Sequence, residues 1–245
     1  MLSKSRIKDI QSLQQKKFRD EQGLFVAEGP KLVDELLKDK NFECEKLYAL
    51  PGWQSGFSIS NEKIEIIKDF ELEKISGLVK PNMLVAVFKT KESIADFNTT
   101  GKITLLLDDI QDPGNLGTII RTADWFGIEN IICSAATADM YNPKVVQSTM
   151  ASLGRVNVFY TNLEQWLKDH KGIKILAAAL EGKPLSDFKN MKEAFLIIGN
   201  ESKGISKTLI DMSDEKISIQ KYGKAESLNA AVAAGIILNQ LIIVN

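Results

Sequence analysis

The alternation of short apolar strands with helical segments between residues 103 and 219 most constrains how this chain can fold. The predicted strands are nearly uninterrupted runs of apolar side chains, and they cover residues 103–107, 130–133, 156–160, 173–180, 195–198 and 216–219. Such strands, separated by helices, predict a mostly parallel α/β sheet that is covered on both faces. Ligands of such sheets bind in the loops after the carboxyl ends of strands. The segments after residues 107, 198 and 219 are therefore the candidate functional loops.

The chain is also long enough to hold a second, smaller domain, because it has 245 residues. Its first part mixes predicted helices and strands. A polar stretch from Lys89 to Gly101 has the composition of a connection between domains. We therefore predict an α/β domain over residues 1–95 and a larger α/β domain over residues 96–245.

The charge of the chain gives a local signal and no global one. The formal net charge is −1, so the overall balance does not indicate a nucleic-acid partner. Residues 1–19, in contrast, carry six Lys or Arg side chains and one Asp. This excess fits either contact with phosphates or the solvated face of a helix, and both interpretations stay open.

Composition and hydropathy argue against several classes of protein. Two cysteines and one histidine do not make a standard zinc site, so we expect no metal. The first residues lack the apolar region of a signal peptide. The longest apolar run starts at Ala230 and is interrupted by Asn239 and Gln240, which makes it too short to span a membrane. We expect a protein without a membrane segment, in the cytoplasm or an organelle matrix.

The first candidate loop leads from a buried strand into a helix. Asn115 follows an Asp-Pro-Gly turn and is predicted to be the N-cap of that helix. Arg121 lies roughly 140° away from the apolar stripe of the helix, by the helical repeat. It could therefore hold a phosphate through two hydrogen bonds, or it could be a surface arginine paired with Asp124.

The second and third candidate loops also combine glycines with polar residues. Gly199 and Gly204 bracket the loop that holds Glu201, and glycines there let the backbone approach a ligand closely. Glu201 alone fits a solvated loop acid equally well. In the third loop, Ser227 is predicted to cap a final helix that is apolar nearly all round and rich in Ala and Gly. Such a helix is buried on several sides and could meet a second subunit.

Taken together, the three loops closely resemble the signature motifs of the SpoU (TrmH-like) RNA ribose methyltransferases of the SPOUT superfamily. The resemblance covers about residues 103–243, and residues 14–37 resemble, less specifically, the small substrate-binding domain of many members. The matching residues are Asn115, Gly117 and Arg121 in the first loop, Gly199, Glu201 and Gly204 in the second, and Ser227, Leu228 and Asn229 in the third.

The resemblance implies a fold, a cofactor and roles for individual residues. It implies a C-terminal trefoil knot, S-adenosylmethionine as cofactor, and a homodimer with its sites near the subunit interface. By resemblance, Arg121 is the catalytic arginine. The resemblance also implies one set of residues around the reaction centre and a second set that holds the cofactor. The residues around the reaction centre are Asn115, Glu201, Ser227 and Asn229, and those that hold the cofactor are Gly199, Ile219 and Leu228.

Two positions depart from the family pattern: Ser218 stands where proline is common, and Ala151 stands where glycine is common. The function that the resemblance implies is methylation of a ribose 2′-hydroxyl in structured RNA, with ribosomal RNA favoured over transfer RNA because of the additional domain. A non-catalytic RNA-binding protein and a methyltransferase acting on an RNA base atom remain alternatives. Arg121 either takes the hydroxyl proton or stays cationic and polarises the hydroxyl, since free arginine remains protonated.

Overall fold

The computed structural model of the protein describes residues 1–57, 59–91 and 98–242. The predicted domain boundary between residues 95 and 96 lies outside these residues. The helices are α1 (Lys4–Ser12), α2 (Lys16–Gln22), α3 (Pro30–Lys38), α4 (Asp69–Ile75), α5 (Pro113–Trp125), α6 (Pro143–Thr149), α7 (Leu163–Asp169), α8 (Lys207–Met212) and α9 (Ala230–Ile242). The strands are β1 (Leu24–Glu28), β2 (Cys44–Ala49), β3 (Ile64–Ile66), β4 (Leu84–Lys89), β5 (Ile103–Asp108), β6 (Asn130–Cys133), β7 (Asn157–Tyr160), β8 (Ile175–Pro184), β9 (Ala194–Gly199) and β10 (Glu215–Ser218).

The chain forms two compact units that do not follow the sequence order strictly. The N-terminal unit consists of Met1–Glu92 together with Asp139–Gly154. The C-terminal unit consists of Ser93–Ala138 together with Arg155–Asn245. The segment 139–154, which contains α6, therefore belongs to the N-terminal unit although it lies between β6 and β7 in the sequence.

The N-terminal unit is built on a four-stranded sheet in the order β1-β4-β2-β3. Strands β1 and β2 run antiparallel to β4, and β3 runs parallel to β2. Apolar side chains of α1 and α4, including Ile10, Leu72 and Ile75, join a buried cluster with β4 side chains. Burial of these side chains accounts for why two short helices remain folded on the sheet.

The basic N-terminal stretch differs from its expected form in one respect. Arg19 is buried, with 2% of its side chain exposed, and its Nη2 lies 2.5 Å from Asp139 Oδ2. Its Nη1 also donates to the carbonyl of Leu13 at 2.8 Å. A guanidinium removed from solvent needs such partners, so Arg19 is a structural residue that does not add to the basic surface.

The segment 139–154 is packed firmly within the N-terminal unit. The ring of Tyr141 lies 4.8 Å from that of Phe25, centre to centre. Lys91 Nζ donates to the carbonyl of Gly154 at 2.9 Å, and burial lowers the pKa of this lysine. Ala151, which departs from the glycine that is common in the resembling motif, has a φ of 73°, so the backbone has the left-handed conformation that favours glycine.

The C-terminal unit holds a six-stranded sheet in the order β10-β8-β9-β5-β6-β7. Every neighbouring pair in this sheet is parallel, which confirms the predicted architecture. The central strands β5 and β9 are in register so that Asp108 lies opposite Gly199 at their carboxyl ends. Two of the predicted functional loops therefore start side by side. The trefoil knot stays a prediction.

Candidate active site

The loop after β9 is fixed to the end of β5 by hydrogen bonds that the sequence did not reveal. Asp108 Oδ2 accepts from the backbone N–H of Ser206 at 2.7 Å, and Asp108 is buried. Asn200 Nδ2 donates to the carbonyl of Asp109 at 2.9 Å. Asp109 itself has a φ of 56° and accepts from Ser134 Oγ at 2.7 Å. These contacts position the loop from residue 199 to residue 206 at the carboxyl edge of the sheet.

Gly199 is required by the shape of this loop. A Cβ at position 199 would lie 2.4 Å from the backbone carbon of Gly204, far inside van der Waals contact. Asn200 and Gly204 close the loop through two backbone hydrogen bonds. Asn200 N donates to Gly204 O at 3.1 Å, and Gly204 N donates to Asn200 O at 2.8 Å. The sequence suggested that glycine admits a ligand here, and the structure has the chain's own backbone in that space.

The start of α5 differs from the predicted capping. Asp112, and not Asn115, is the N-cap, since its side chain accepts from the backbone N–H of Asn115 at 2.8 Å. Pro113 occupies the first helical position, where a missing N–H costs nothing. The Asp-Pro pair therefore begins the helix three residues earlier than expected. As a result, the Asn115 side chain does not cap α5 and can bond to other loops.

Three residues that the sequence analysis singled out form a hydrogen-bonded cluster, Asn115, Glu201 and Asn229. Asn115 Nδ2 donates to Glu201 Oε1, and Asn229 Nδ2 donates to Asn115 Oδ1 at 2.8 Å. Each residue comes from a different predicted loop. Glu201 is half-buried and bonded here, so it is not the freely solvated acid of the alternative interpretation.

Asn229 also caps the last helix, which corrects the expectation for Ser227. Its Oδ1 accepts from the backbone N–H groups of Ala231 at 3.0 Å and Val232 at 3.2 Å. Helix α9 therefore begins at Ala230, two residues later than a Ser227 cap would place it. Asn side chains are favoured caps because they replace the missing intrahelical acceptors. The side chain of Asn229 thus both orients Asn115 and starts α9.

The remaining residues of the third loop are open to solvent. Ser227 is exposed and makes no hydrogen bond to any residue that the structure describes. Leu228 is 44% exposed, and Ile219 is half-buried. Residues 219–229 follow β10 and contain no helix or strand. Two apolar side chains at the carboxyl edge of the sheet are thus available to an apolar part of a ligand.

Arg121 is exposed and points to a different face from Asn115. Six residues along α5 correspond to about 9 Å of rise and a rotation of about 240°. Arg121 lines an open groove of about 670 Å³ together with residues of α9 such as Gly235 and Asn239. Its suggested partner Asp124 bonds instead to Arg155, whose Nη2 lies 2.8 Å from Asp124 Oδ2. Within one chain, Arg121 and the hydrogen-bonded cluster therefore face different surfaces.

Helices α5 and α9 lie side by side and present an apolar surface. Thr122 Cγ2 is 3.7 Å from the position that a Cβ on Gly235 would take. Large apolar side chains are exposed on these two helices: Trp125 is 84% exposed, Val232 is 50% exposed and Ile236 is 40% exposed. We call the surface formed by Arg121, Trp125, Val232 and Ile236 the α5–α9 face. Exposed apolar side chains that lie together are typical of association surfaces.

A cysteine nucleophile and a metal centre have less support in the described part of the chain. Cys133 lies at the carboxyl end of β6, but it is fully buried, and burial raises the pKa of its thiol. A buried thiol with a raised pKa is a poor nucleophile. Among the residues that the structure describes, no group of three or more His, Cys, Asp or Glu side chains is placed to hold a metal ion.

None of the helices described is long and apolar enough to cross a membrane.

Comparison with sequence families identifies both parts of the chain. Residues 102–239 match the profile of the SpoU rRNA Methylase family, and residues 4–86 match that of the MRM3-like substrate binding domain. A 23S rRNA (guanosine(2553)-2′-O)-methyltransferase of Bacillus subtilis is 32% identical over 240 residues, which is 96% of this chain and 95% of that protein.

Solved structures agree with this relationship. A protein from Porphyromonas gingivalis described as a TrmH-family RNA methyltransferase superposes with a TM-score of 0.88 at 35% identity, covering 98% of each chain. An rRNA methyltransferase from Sinorhizobium meliloti, solved with bound AdoMet, superposes with a TM-score of 0.86 at 30% identity, covering 98% of this chain and 96% of that chain. With its parallel sheet, its three loops and these relatives, the chain belongs to the SpoU rRNA Methylase family.

Proposed function

We propose that this protein transfers a methyl group from S-adenosylmethionine to a ribose 2′-hydroxyl of ribosomal RNA. The observation that carries the proposal is the cluster of Asn115, Glu201 and Asn229 at the carboxyl edge of a parallel sheet. The Bacillus subtilis relative, which matches nearly the whole chain, is named for this reaction on 23S rRNA.

The loops after β9 and β10 would hold the cofactor. Ile219 and Leu228 offer apolar surface there, and the backbone around Gly199 offers polar groups, which fits a molecule with an aromatic base and a charged amino-acid part. When bound, the cofactor supplies a methyl group that is already activated by a sulfonium. The related Sinorhizobium meliloti structure contains AdoMet, which supports the same cofactor for this chain.

The cluster residues would orient the attacking ribose. A ribose hydroxyl is a weak acid, so its oxygen must be placed accurately and its proton must find an acceptor. Glu201 presents a carboxylate that Asn115 holds, and Asn115 is in turn held by Asn229. The exposed hydroxyl of Ser227 would complete the polar surface around the reacting oxygen.

Arg121 would act on the nucleophile as a cation that polarises the hydroxyl or holds a neighbouring phosphate. The alternative is that Arg121 takes the hydroxyl proton, which requires the site to shift the guanidinium equilibrium. Loss of a group that stabilises developing charge lowers rates by about 10²–10³. Arg121→Lys tests the bidentate clamp, because lysine keeps the charge and loses the planar fork. Near-full activity of that variant contradicts the clamp.

We further propose that the active form is a homodimer in which the α5–α9 faces meet. Arg121 lies on this face and away from the cluster of its own chain, so a second copy could bring its Arg121 to that cluster. The exposed Trp125, Val232 and Ile236 supply apolar area for the contact. Mixed dimers of Arg121→Ala and Glu201→Gln chains should regain part of the activity. Activity no higher than that of either variant alone contradicts this arrangement.

The direct test of the reaction uses labelled S-adenosylmethionine with unmodified ribosomal and transfer RNA pools. We expect label in the ribosomal RNA pool and none with Arg121→Ala. Label confined to transfer RNA would correct the substrate class. Absence of both methyl transfer and cofactor binding would instead favour a non-catalytic RNA-binding protein. Since the proposed substrate is ribosomal RNA and both cysteines are unpaired, we propose a cytoplasmic location.

A further inference from the structure

One loop of the N-terminal unit is anchored by a buried acid. Glu28, at the end of β1, is only 5% exposed. Its Oε1 accepts from the backbone N–H of Gly77 at 2.8 Å, and its Oε2 accepts from Ser76 Oγ. We call residues 76–83, between α4 and β4, the 76–83 loop. Burying a carboxylate is costly unless it is bonded in this way, so Glu28 is committed to holding the start of the loop.

Two other segments pack against the same loop. A Cβ on Gly77 would lie 2.9 Å from Gln14 Nε2, so the turn between α1 and α2 touches the start of the loop. At its other end, Asn82 Nδ2 is 3.8 Å from the position of a Cβ on Gly29, which precedes α3. The loop is therefore held at both ends. A loop fixed before binding loses little conformational entropy when it meets a partner.

The loop presents apolar and cationic groups to solvent. Val79 is fully exposed at 100%, and its neighbour Lys80 is exposed as well. Lys31, in the first turn of α3, is also exposed. Neither lysine has an ion pair with a residue that the structure describes.

The charge balance around the loop is one-sided. Residues 76–83 and residues 29–33 contain Lys31 and Lys80 and no Asp or Glu. Glu28, which precedes residue 29, is buried with both oxygens bonded inward. Of the two acids that follow residue 33, Asp34 is half-buried and Glu35 pairs with Lys38 at 2.5 Å. By contrast, the two lysines of α2 are balanced by their own helix, since Lys16 pairs with Asp20 at 2.8 Å and Lys17 with Glu21 at 3.8 Å.

We propose that the 76–83 loop and the start of α3 form an RNA-docking surface of the N-terminal unit. Lys31 and Lys80 would contact phosphates, and the exposed amide of Asn82 would contact a base edge or a ribose hydroxyl. Val79 would pack against an unstacked base. This inference rests on the proposed function, because it assigns where the substrate of the same enzyme is held outside the reaction centre.

The docking surface is tested by the binding of unmodified 23S ribosomal RNA transcript to the full-length protein. Binding is measured by filter binding at several salt concentrations. The test variant is Lys31→Glu with Lys80→Glu. The matched control is Lys40→Glu with Lys171→Glu, which changes the net charge equally at exposed sites outside residues 1–19 and outside the proposed surface.

We expect the test variant to weaken binding by about 30-fold and to lower the salt slope by about 2, one for each phosphate contact. The control should stay within about threefold of the wild-type protein. Val79→Ser should weaken binding by about fivefold without changing the salt slope, because it removes only apolar contact. Equal losses of RNA affinity in both double variants, or no loss in either, would overturn the proposed docking surface.

The same preparations separate this inference from the proposed reaction. If the wild-type protein binds the transcript through these residues but transfers no methyl group, the docking surface stands and the proposed function fails. If the protein methylates RNA and the test variant keeps the wild-type KM, the proposed function stands and the docking surface fails. We expect a raised KM with kcat unchanged, since the variant residues lie outside the reaction centre.

Discussion

Replacing Asn115 by Asp tests the hydrogen-bonded cluster with almost no change in size. The new carboxylate can still accept from Asn229, which donates at 2.8 Å in the native protein. It can no longer donate to Glu201, and it places a second negative charge against that side chain. The variant therefore replaces an attractive hydrogen bond between position 115 and Glu201 by a repulsion between two carboxylates.

The expected cost follows from these two changes. A hydrogen bond to a charged group contributes about 1.5–3 kcal/mol. Two unit charges 4 Å apart repel by about 4 kcal/mol at an effective dielectric constant of 20, and exposure to solvent at this half-buried site reduces that figure to about 1–3 kcal/mol. If about 3–4 kcal/mol of this is felt in the transition state, kcat/KM falls by about 10²–10³ at pH 8.

The pH dependence gives the variant a distinctive signature. Two carboxylates in contact cannot both ionise easily, so the pKa of one is raised. Below that raised pKa, the two carboxyl groups share a proton, and a hydrogen bond again joins the side chains at positions 115 and 201. The activity of Asn115→Asp relative to the wild-type protein should therefore rise as the pH falls and decline as the pH rises through the raised pKa.

The assay is kcat/KM for methyl transfer between pH 5 and pH 9, with Asn115→Ala as the matched variant. Asn115→Ala should lose activity without relative recovery in acid, since it adds no titratable group. Asn115→Asp activity within threefold of the wild-type value at pH 8 would refute the reasoning. So would an identical acid recovery in both variants, because it would place the titrating group elsewhere.

Three further outcomes test other parts of the structure. Gly199→Ala should abolish cofactor binding in calorimetry, because its Cβ would lie 2.4 Å from backbone atoms; unchanged affinity would contradict the required glycine. Asp139→Asn should lower the free energy of unfolding by about 3 kcal/mol in denaturant titration, because it leaves the buried Arg19 charge uncompensated; a loss under about 0.5 kcal/mol would contradict this. Asn200→Asp should lower kcat by about 10- to 100-fold with KM for the cofactor little changed, because it removes the donor to Asp109; an unchanged kcat would show that the bond does not position the loop.

The parallel sheet could be predicted because its strands are buried on both faces. Runs such as residues 103–107 and 195–198 contain almost only aliphatic or aromatic side chains, a pattern that identifies strands without any pairing information. The order of the strands and the register of Asp108 with Gly199 depend on long-range contacts. Those contacts cannot be predicted from the local sequence of each strand.

The capping residues show why exact helix starts were missed. Asp112 and Asn115 are both favoured N-caps, and the sequence offers no way to choose until the Pro113 ring and the acceptor geometry are considered together. The same ambiguity between Ser227 and Asn229 was resolved by the backbone of α9. Asn115 belongs to the cluster and caps no helix, whereas Asn229 belongs to the cluster and also caps α9.

The path of residues 139–154 had no visible signal in the sequence. Asp139 and Tyr141 are ordinary loop residues until Arg19 and Phe25 are placed opposite them, more than 100 positions earlier in the chain. A buried ion pair of this kind is encoded at two distant positions, neither of which is unusual alone. For the same reason, Arg19 was counted with the exposed basic residues.

The central claim is that the methyl group goes to a ribose oxygen, and nucleoside analysis of methylated RNA tests it most directly. Unmodified ribosomal RNA would be treated with the protein and labelled S-adenosylmethionine, digested to nucleosides and separated by mass. We predict a single labelled 2′-O-methylnucleoside that disappears with Asn229→Ala. A label on a base, or a 2′-O-methylnucleoside that persists in full with Asn229→Ala, would contradict the account.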